Sequence, residues 1–156
     1  MKSAPLQNKP ERKKNKQMDY RKEFDRMMQT QTSIALATAV NGVPNVRIVN
    51  FYYDAELRTL YFSTFSDNLK VLELQKNPHI AFTTIAEKGE EHVRVKDGTA
   101  RISSVEIENI KNGFLTKLPD YIMSIPDVLP ALILFEVTFE QAEVVLDFEH
   151  MDTVRL

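Results

Sequence analysis

The chain has no cysteine and no tryptophan, and only four glycines and three histidines among its 156 residues. Without cysteine there is no disulfide, no thiolate nucleophile and no cysteine zinc site. Neither G-x-x-x-x-G-K nor G-x-G-x-x-G occurs, and so few glycines leave little room for either, which argues against phosphate-loop hydrolysis and Rossmann dinucleotide binding. His79, His92 and His150 lie far apart and lack ligand spacing, so no metal site is expected. No G-x-S-x-G elbow marks a serine hydrolase. No apolar run approaches the roughly 20 residues that cross a bilayer. The basic N-terminus lacks the apolar core of a signal peptide. A cytoplasmic protein without a membrane anchor is the expectation.

What is present is ordinary for one globular domain: 43% hydrophobic and 27% charged residues. The net charge of −2 hides an asymmetry. Lys2, Lys9, Arg12, Lys13, Lys14 and Lys16 stand against Glu11 alone, so the first 16 residues balance at +5 and the rest at −7. Residues 1–17 are expected to form a flexible basic leader and 18–156 the domain. The acidic body would repel nucleic-acid phosphates, and no aromatics interleave with the basic residues, so no nucleic-acid partner is expected.

Tyr20, Phe24, Met27 and Met28 recur at helical spacing, predicting a helix over 18–29 capped by Asp19. A strand over 32–40 leads into Asn41-Gly42, a strong hairpin signal because both turn positions want positive φ. The return strand is predicted over 45–53, a third strand over 59–65, and a helix opening at Ser66 or Asp67 and stopped by Asn77-Pro78. Strands follow over 79–85 and 92–103, the latter with a bulge or bend at Gly98. A helix capped by Ser104 is predicted over 105–115, then a proline-rich loop, a strand over 131–139 and a possible seventh over 141–148. Six or seven hairpin-linked strands with inserted helices predict a mainly β fold, an antiparallel split barrel with peripheral helices.

The polar residues of interest lie in the second and third strands and the helix after them. Arg47 alternates with Val49 and Phe51, and a guanidinium on such an apolar face needs an anion or many acceptors. Ser63 and Thr64 end the next strand, Lys70 falls in the first helical turn, and a helix start presents free N–H groups. The set suits a phosphate. Spacing does not separate a flavin phosphate from pyridoxal phosphate or a sugar phosphate. The alternative is that Arg47 pairs with a carboxylate and Lys70 is a solvated helix charge.

R-I-V-N-F at 47–51, F-S-T at 62–64, K-V-L-E-L-Q-K-N-P at 70–78 and H-V-R-V-K-D-G-T-A-R-I at 92–102 resemble the pyridoxamine 5′-phosphate oxidase-like family. The resemblance covers about 32–103, and 131–148 loosely. It implies a homodimeric split barrel with flavin mononucleotide (FMN) between the subunits. It would place Arg47, Ser63, Thr64 and Lys70 on the flavin phosphate, and Ile48, Val49 and Asn50 at the ring edge. His92 falls where the family often supplies a polar side chain, commonly glutamine, from the opposing subunit; histidine is a departure. The true oxidase has an arginine- and serine-rich stretch after the fifth strand and a C-terminal tryptophan. Here that stretch is S-V-E-I-E-N-I-K-N-G-F-L, and tryptophan is absent, so vitamin B6 oxidation is not expected.

The expected function is an FMN-dependent oxidoreductase that passes electrons to a small-molecule acceptor, with no catalytic acid or base singled out. The alternative is a flavin, haem or deazaflavin carrier or sensor without turnover. A homodimer is expected from the resemblance, and because both faces of 60–65 are apolar and one small barrel is expected to cover only one of them.

Overall fold

The computed structural model describes residues 17–156. The expected basic leader falls, apart from Gln17, outside the described residues. Asp19 caps helix α1 (Tyr20–Thr30), its side chain accepting from the Lys22 N–H at 3.1 Å. Phe24, Met27 and Met28 form the fully buried stripe of that helix. Strands β1 (Ser33–Val40) and β2 (Val43–Asn50) are joined at Asn41 and Gly42, with φ of 53° and 76°, as the tight hairpin requires.

The return strand is not continuous. Phe51 is wholly buried, its N–H donates to the Thr32 carbonyl at 3.2 Å, and it separates β2 from a short β3 (Tyr52–Asp54). The chain changes partner at that residue: β2 pairs with β1, and β3 pairs with β4 (Thr59–Phe65). Helix α2 (Leu69–Lys76) starts later than Ser66 or Asp67, because Asn68 is its cap and accepts from the Lys70 N–H at 3.1 Å. Ser66 and Asp67 belong to the preceding turn, closed by the Asn68 N–H on the Phe65 carbonyl.

Strands β5 (His79–Thr84) and β6 (His92–Ile102) follow. The register between them shifts near Gly98, where a Cβ would come within 2.8 Å of Ile80 Cδ1. A larger residue there would have to displace the end of the Ile80 side chain. Helix α3 (Ile107–Lys117) begins after Glu106, not at Ser104. Ser103 takes the local hydrogen bond instead, accepting from the Val105 N–H at 3.0 Å. The proline-rich loop forms two 3-10 turns, Ile122–Ser124 and Pro126–Ala131. Strands β7 (Leu132–Phe139), β8 (Gln141–Val145) and β9 (Met151–Arg155) complete the described chain. There are thus nine strands among the described residues, the unforeseen ones being the split-off β3 and β9.

All pairings are antiparallel, in the order β2-β1-β5-β6-β7-β4-β3, with β8 branching from β6 and β9 pairing with β8. The two ends of that order, β2 and β3, are neighbours in the chain, so the sheet curls into a split barrel. Inside lie Leu36, Phe51, Leu60, Phe62, Phe82, Phe135 and Val137, closed at one side by α1. A second core packs on the opposite face of β4: Tyr61, Ile110, Phe114, Met123 and Leu134. This corrects one ground for expecting a dimer. The second apolar face of β4 is covered by α3 and the first 3-10 turn of its own chain, and only Phe65 at its end stays open, at 42% exposure. Among the described residues no helix is long and apolar enough to cross a membrane.

Candidate functional site

The ends of β2 and β4, the start of α2 and the first 3-10 turn meet around a recess of about 230 Å³. Of the residues singled out from sequence, Ile48, Val49, Asn50, Ser63, Thr64 and Lys70 line it together. They meet because two strands end beside the capped start of α2. Asn68 fixes the first turn of α2, which lays the Lys70 stem against the end of β4.

Lys70 is only 8% exposed. Its Nζ donates to Thr64 Oγ1 at 2.7 Å and to Asn68 Oδ1 at 3.0 Å. No carboxylate pairs with it among the described residues. Burial pushes its pKa down, the charge of Arg47 pushes it further, and the charge of Glu73 opposes them. A buried ammonium with neutral partners is a costly arrangement that an anion would relieve. The solvated alternative for Lys70 therefore does not describe this side chain.

Arg47 sits differently. Its guanidinium forms an ion pair with Glu73 and donates to Thr38 Oγ1 at 2.9 Å, outside the residues lining the recess. Glu73 also accepts from the Thr38 hydroxyl at 2.5 Å and from Asn45 Nδ2 at 3.0 Å. The Thr38 hydroxyl first, then Asn45 and Arg47, hold its carboxyl below the usual range. The carboxylate alternative for Arg47 is thus realised in this structure. Its charge still reaches Lys70, so the two cations share one neighbourhood.

Asn50 is tied down within the chain, donating to the Thr32 carbonyl at 3.2 Å and to Ser33 Oγ at 3.1 Å. His92 is not brought to the recess. It starts β6 opposite Val145, with Nδ1 2.7 Å from the Glu90 carbonyl oxygen.

Sequence reasoning missed Asn68 and Tyr121. The Tyr121 hydroxyl lies 2.8 Å from Ser63 Oγ, and burial pushes its pKa up against that hydrogen bond. Asn68 was legible as a cap residue in S-D-N-L-K. Tyr121 had no signal, because its segment reads as a proline-rich loop. The assembled recess offers one buried cation and three hydroxyls, with Ile48, Val49 and Leu132 as apolar walls. That chemistry suits a phosphate attached to a flat or apolar body.

A curled antiparallel barrel with this recess at a strand-to-helix junction defines a split-barrel protein with a cationic recess. The chain belongs to the pyridoxamine 5′-phosphate oxidase-like family, whose model matches residues 27–150. No curated protein matches it by sequence. Solved structures agree on the fold. ChuZ of Campylobacter jejuni superposes with a TM-score of 0.73 at 16% identity, over 91% of this chain and 62% of its own. A heme binding protein from Mycobacterium smegmatis gives 0.71 at 13% identity, over 89% and 59%. General Stress Protein 26 from Bacillus anthracis gives 0.69 at 20% identity, over 89% and 100%. This chain spans under two thirds of the length of the first two of these.

Proposed function

We propose that the chain is an FMN-binding flavoprotein that passes electrons to a small-molecule acceptor, working as a cytoplasmic homodimer. The observation that carries this reading is Lys70, a buried cation with no carboxylate partner among the described residues, set beside Ser63, Thr64 and Tyr121. In this reading Lys70, Ser63 and Thr64 hold the flavin phosphate, and Ile48, Val49 and Asn50 lie against the ring edge. FMN supplies the redox chemistry when bound; the chain's own residues anchor it, orient it and keep water from its phosphate. Arg47 adds to the positive field from its place on Glu73, and His92 serves, if at all, in the partner's site.

Two observations support the dimer. The recess is smaller than the roughly 300–1,000 Å³ of complete small-molecule sites, so the ring would lie over its open side and need a second wall. The sheet beside it offers a face of small and apolar residues, with Ala35 opposite Ile48, Ala37 opposite Val46 and Ala39 opposite Pro44. Val46 and Ile48 there are 64% and 61% exposed. Such a face is complementary to itself in a twofold dimer.

The heme binding protein among the structural relatives motivates a second reading, a haem or flavin carrier without turnover. None of the three histidines lines the recess, and its ammonium suits a phosphate better than an iron. Titrating the purified protein with FMN, riboflavin and haemin separates these readings. FMN is expected to bind, riboflavin to bind at least tenfold more weakly for want of the phosphate, and Lys70→Met to remove that difference. Equal affinity for FMN and riboflavin, or haemin binding in preference to both, overturns the proposal.

A further inference from the structure

An open groove of about 480 Å³ shares Leu132 with the recess and lies between the end of β6, the first turn of α3, the second 3-10 turn and the start of β7. Its walls include Ile102, Val105, Ile107, Leu129, Leu132 and Ile133. No lysine, arginine or histidine lines it. The guanidinium of nearby Arg101 is turned to Glu136, which also accepts from Ser103 Oγ at 2.9 Å. The carboxylates on the groove are those of exposed Glu106 and Glu108, and the second is paired with Lys111 Nζ at 3.4 Å, so Glu106 is the charge left without an ion pair among the described residues.

We propose that this groove is the acceptor site, taking uncharged apolar ring compounds that carry a carbonyl oxygen, the quinone class, and excluding phosphorylated ones. The position of the site beside the cofactor rests on the flavin reading above. The ligand class rests on the groove itself. Aliphatic walls gain by burying a ring. Glu106, which has no ion-pair partner among the described residues, repels a dianion and leaves a neutral molecule alone. Glu106 lends α3 no side-chain cap, and while the Asn109 N–H donates to the Glu106 carbonyl at 3.0 Å, those of Ile107 and Glu108 are left for a carbonyl oxygen. Volume agrees, since the groove falls in the roughly 300–1,000 Å³ range of small-molecule sites.

The test uses the full chain, with and without added FMN, and two probes: menadione, an uncharged bicyclic quinone, and pyridoxal 5′-phosphate. Affinities are measured by calorimetry, and contacts by methyl chemical-shift changes. Menadione is expected to bind at least tenfold tighter than pyridoxal 5′-phosphate and to shift the Ile107, Leu129 and Leu132 methyls. Ile107→Glu places a third carboxylate on the groove at a position where a helix start favours one; because Ile107 also packs against the second core, Leu129→Ala, which adds no charge, is measured beside it and is expected to weaken menadione in the same direction. Ile107→Glu is expected to weaken menadione at least tenfold and leave the FMN affinity unchanged. Equal affinities for the two probes, shifts elsewhere, no menadione binding because a second copy fills the groove, or an Ile107→Glu protein that binds menadione normally would each overturn the proposal. If FMN fails to bind while menadione still depends on Ile107, the cofactor reading falls and the groove stands. If FMN binds and menadione does not, the reverse holds.

Discussion

Lys117, at the end of α3, should make this fold more stable in mild alkali, and the size of the effect follows from its surroundings. Its Nζ donates to the carbonyls of Met28 at 3.0 Å and Phe51 at 3.3 Å, and lies 3.5 Å from the centre of the Phe51 ring. No carboxylate pairs with it among the described residues. Burial pushes its pKa down from 10.5 to about 7. Below that value both folded and unfolded chains hold the proton, and the full desolvation cost bears on the fold. Between the folded and unfolded values only the unfolded chain holds it, so stability climbs by about 1.4 kcal/mol per pH unit. Above both values the cost is gone. Desolvation alone would amount to about 5 kcal/mol across the window, and the two carbonyls and the ring face return part of that. We expect wild type to gain about 2 kcal/mol relative to Lys117→Met between about pH 7.5 and about pH 9.5. Urea denaturation of both proteins at the two pH values measures it. Parallel stability changes in the two proteins would refute the reasoning, since the methionine cannot titrate.

Three other outcomes are expected. In Gly113→Ala the new Cβ would meet Tyr52 Cζ at 2.5 Å, in a ring already flanked by Tyr61 and Phe114. Overpacking of roughly 1–3 kcal/mol should exceed the roughly 1 kcal/mol gained in helix propensity, so the urea midpoint falls; a rise contradicts this. Glu73→Gln breaks the ion pair with Arg47, destabilising by about 1–2 kcal/mol, while freeing that guanidinium, so phosphate-ligand affinity at low salt should rise several-fold; fluorescence titration that shows weakened FMN binding counts against the shared cationic neighbourhood. Ile48→Asp puts a charge on the exposed sheet face and should convert a dimer to monomers in light scattering; an unchanged mass points away from that face as the contact.

Local chemistry was legible where a residue acts on its own neighbours. Asp19 caps α1, Asn41-Gly42 turns a hairpin, and Asn77-Pro78 ends α2, as their backbone preferences dictate. Partners distant in sequence were not. The apolar Tyr61 face was readable, but not that Phe114 and Met123 would cover it. Arg47 was readable as a cation needing a partner, but not that Glu73, beyond β3, β4 and the turns after them, would supply one. The break at Phe51 was hidden because the strand pattern continues through it, and only the change of pairing partner reveals it. β9 escaped because a single residue, Val154, is its buried anchor.

Strand β4 has hydrophobic packing on both sides, pairs with β7 from Leu60 to Phe65, and pairs with β3 on its other edge from Thr59 to Tyr61. Its amides should therefore be among the last to exchange with deuterated solvent, opening only with the whole domain. Ser63 and Thr64 ride on that slowest segment, whereas Asn68 and Tyr121 sit on a turn and a short 3-10 stretch. The floor of the recess thus lies on a strand packed on both faces, and its rim on a turn and a 3-10 stretch, so ligand-dependent protection should show itself at the rim.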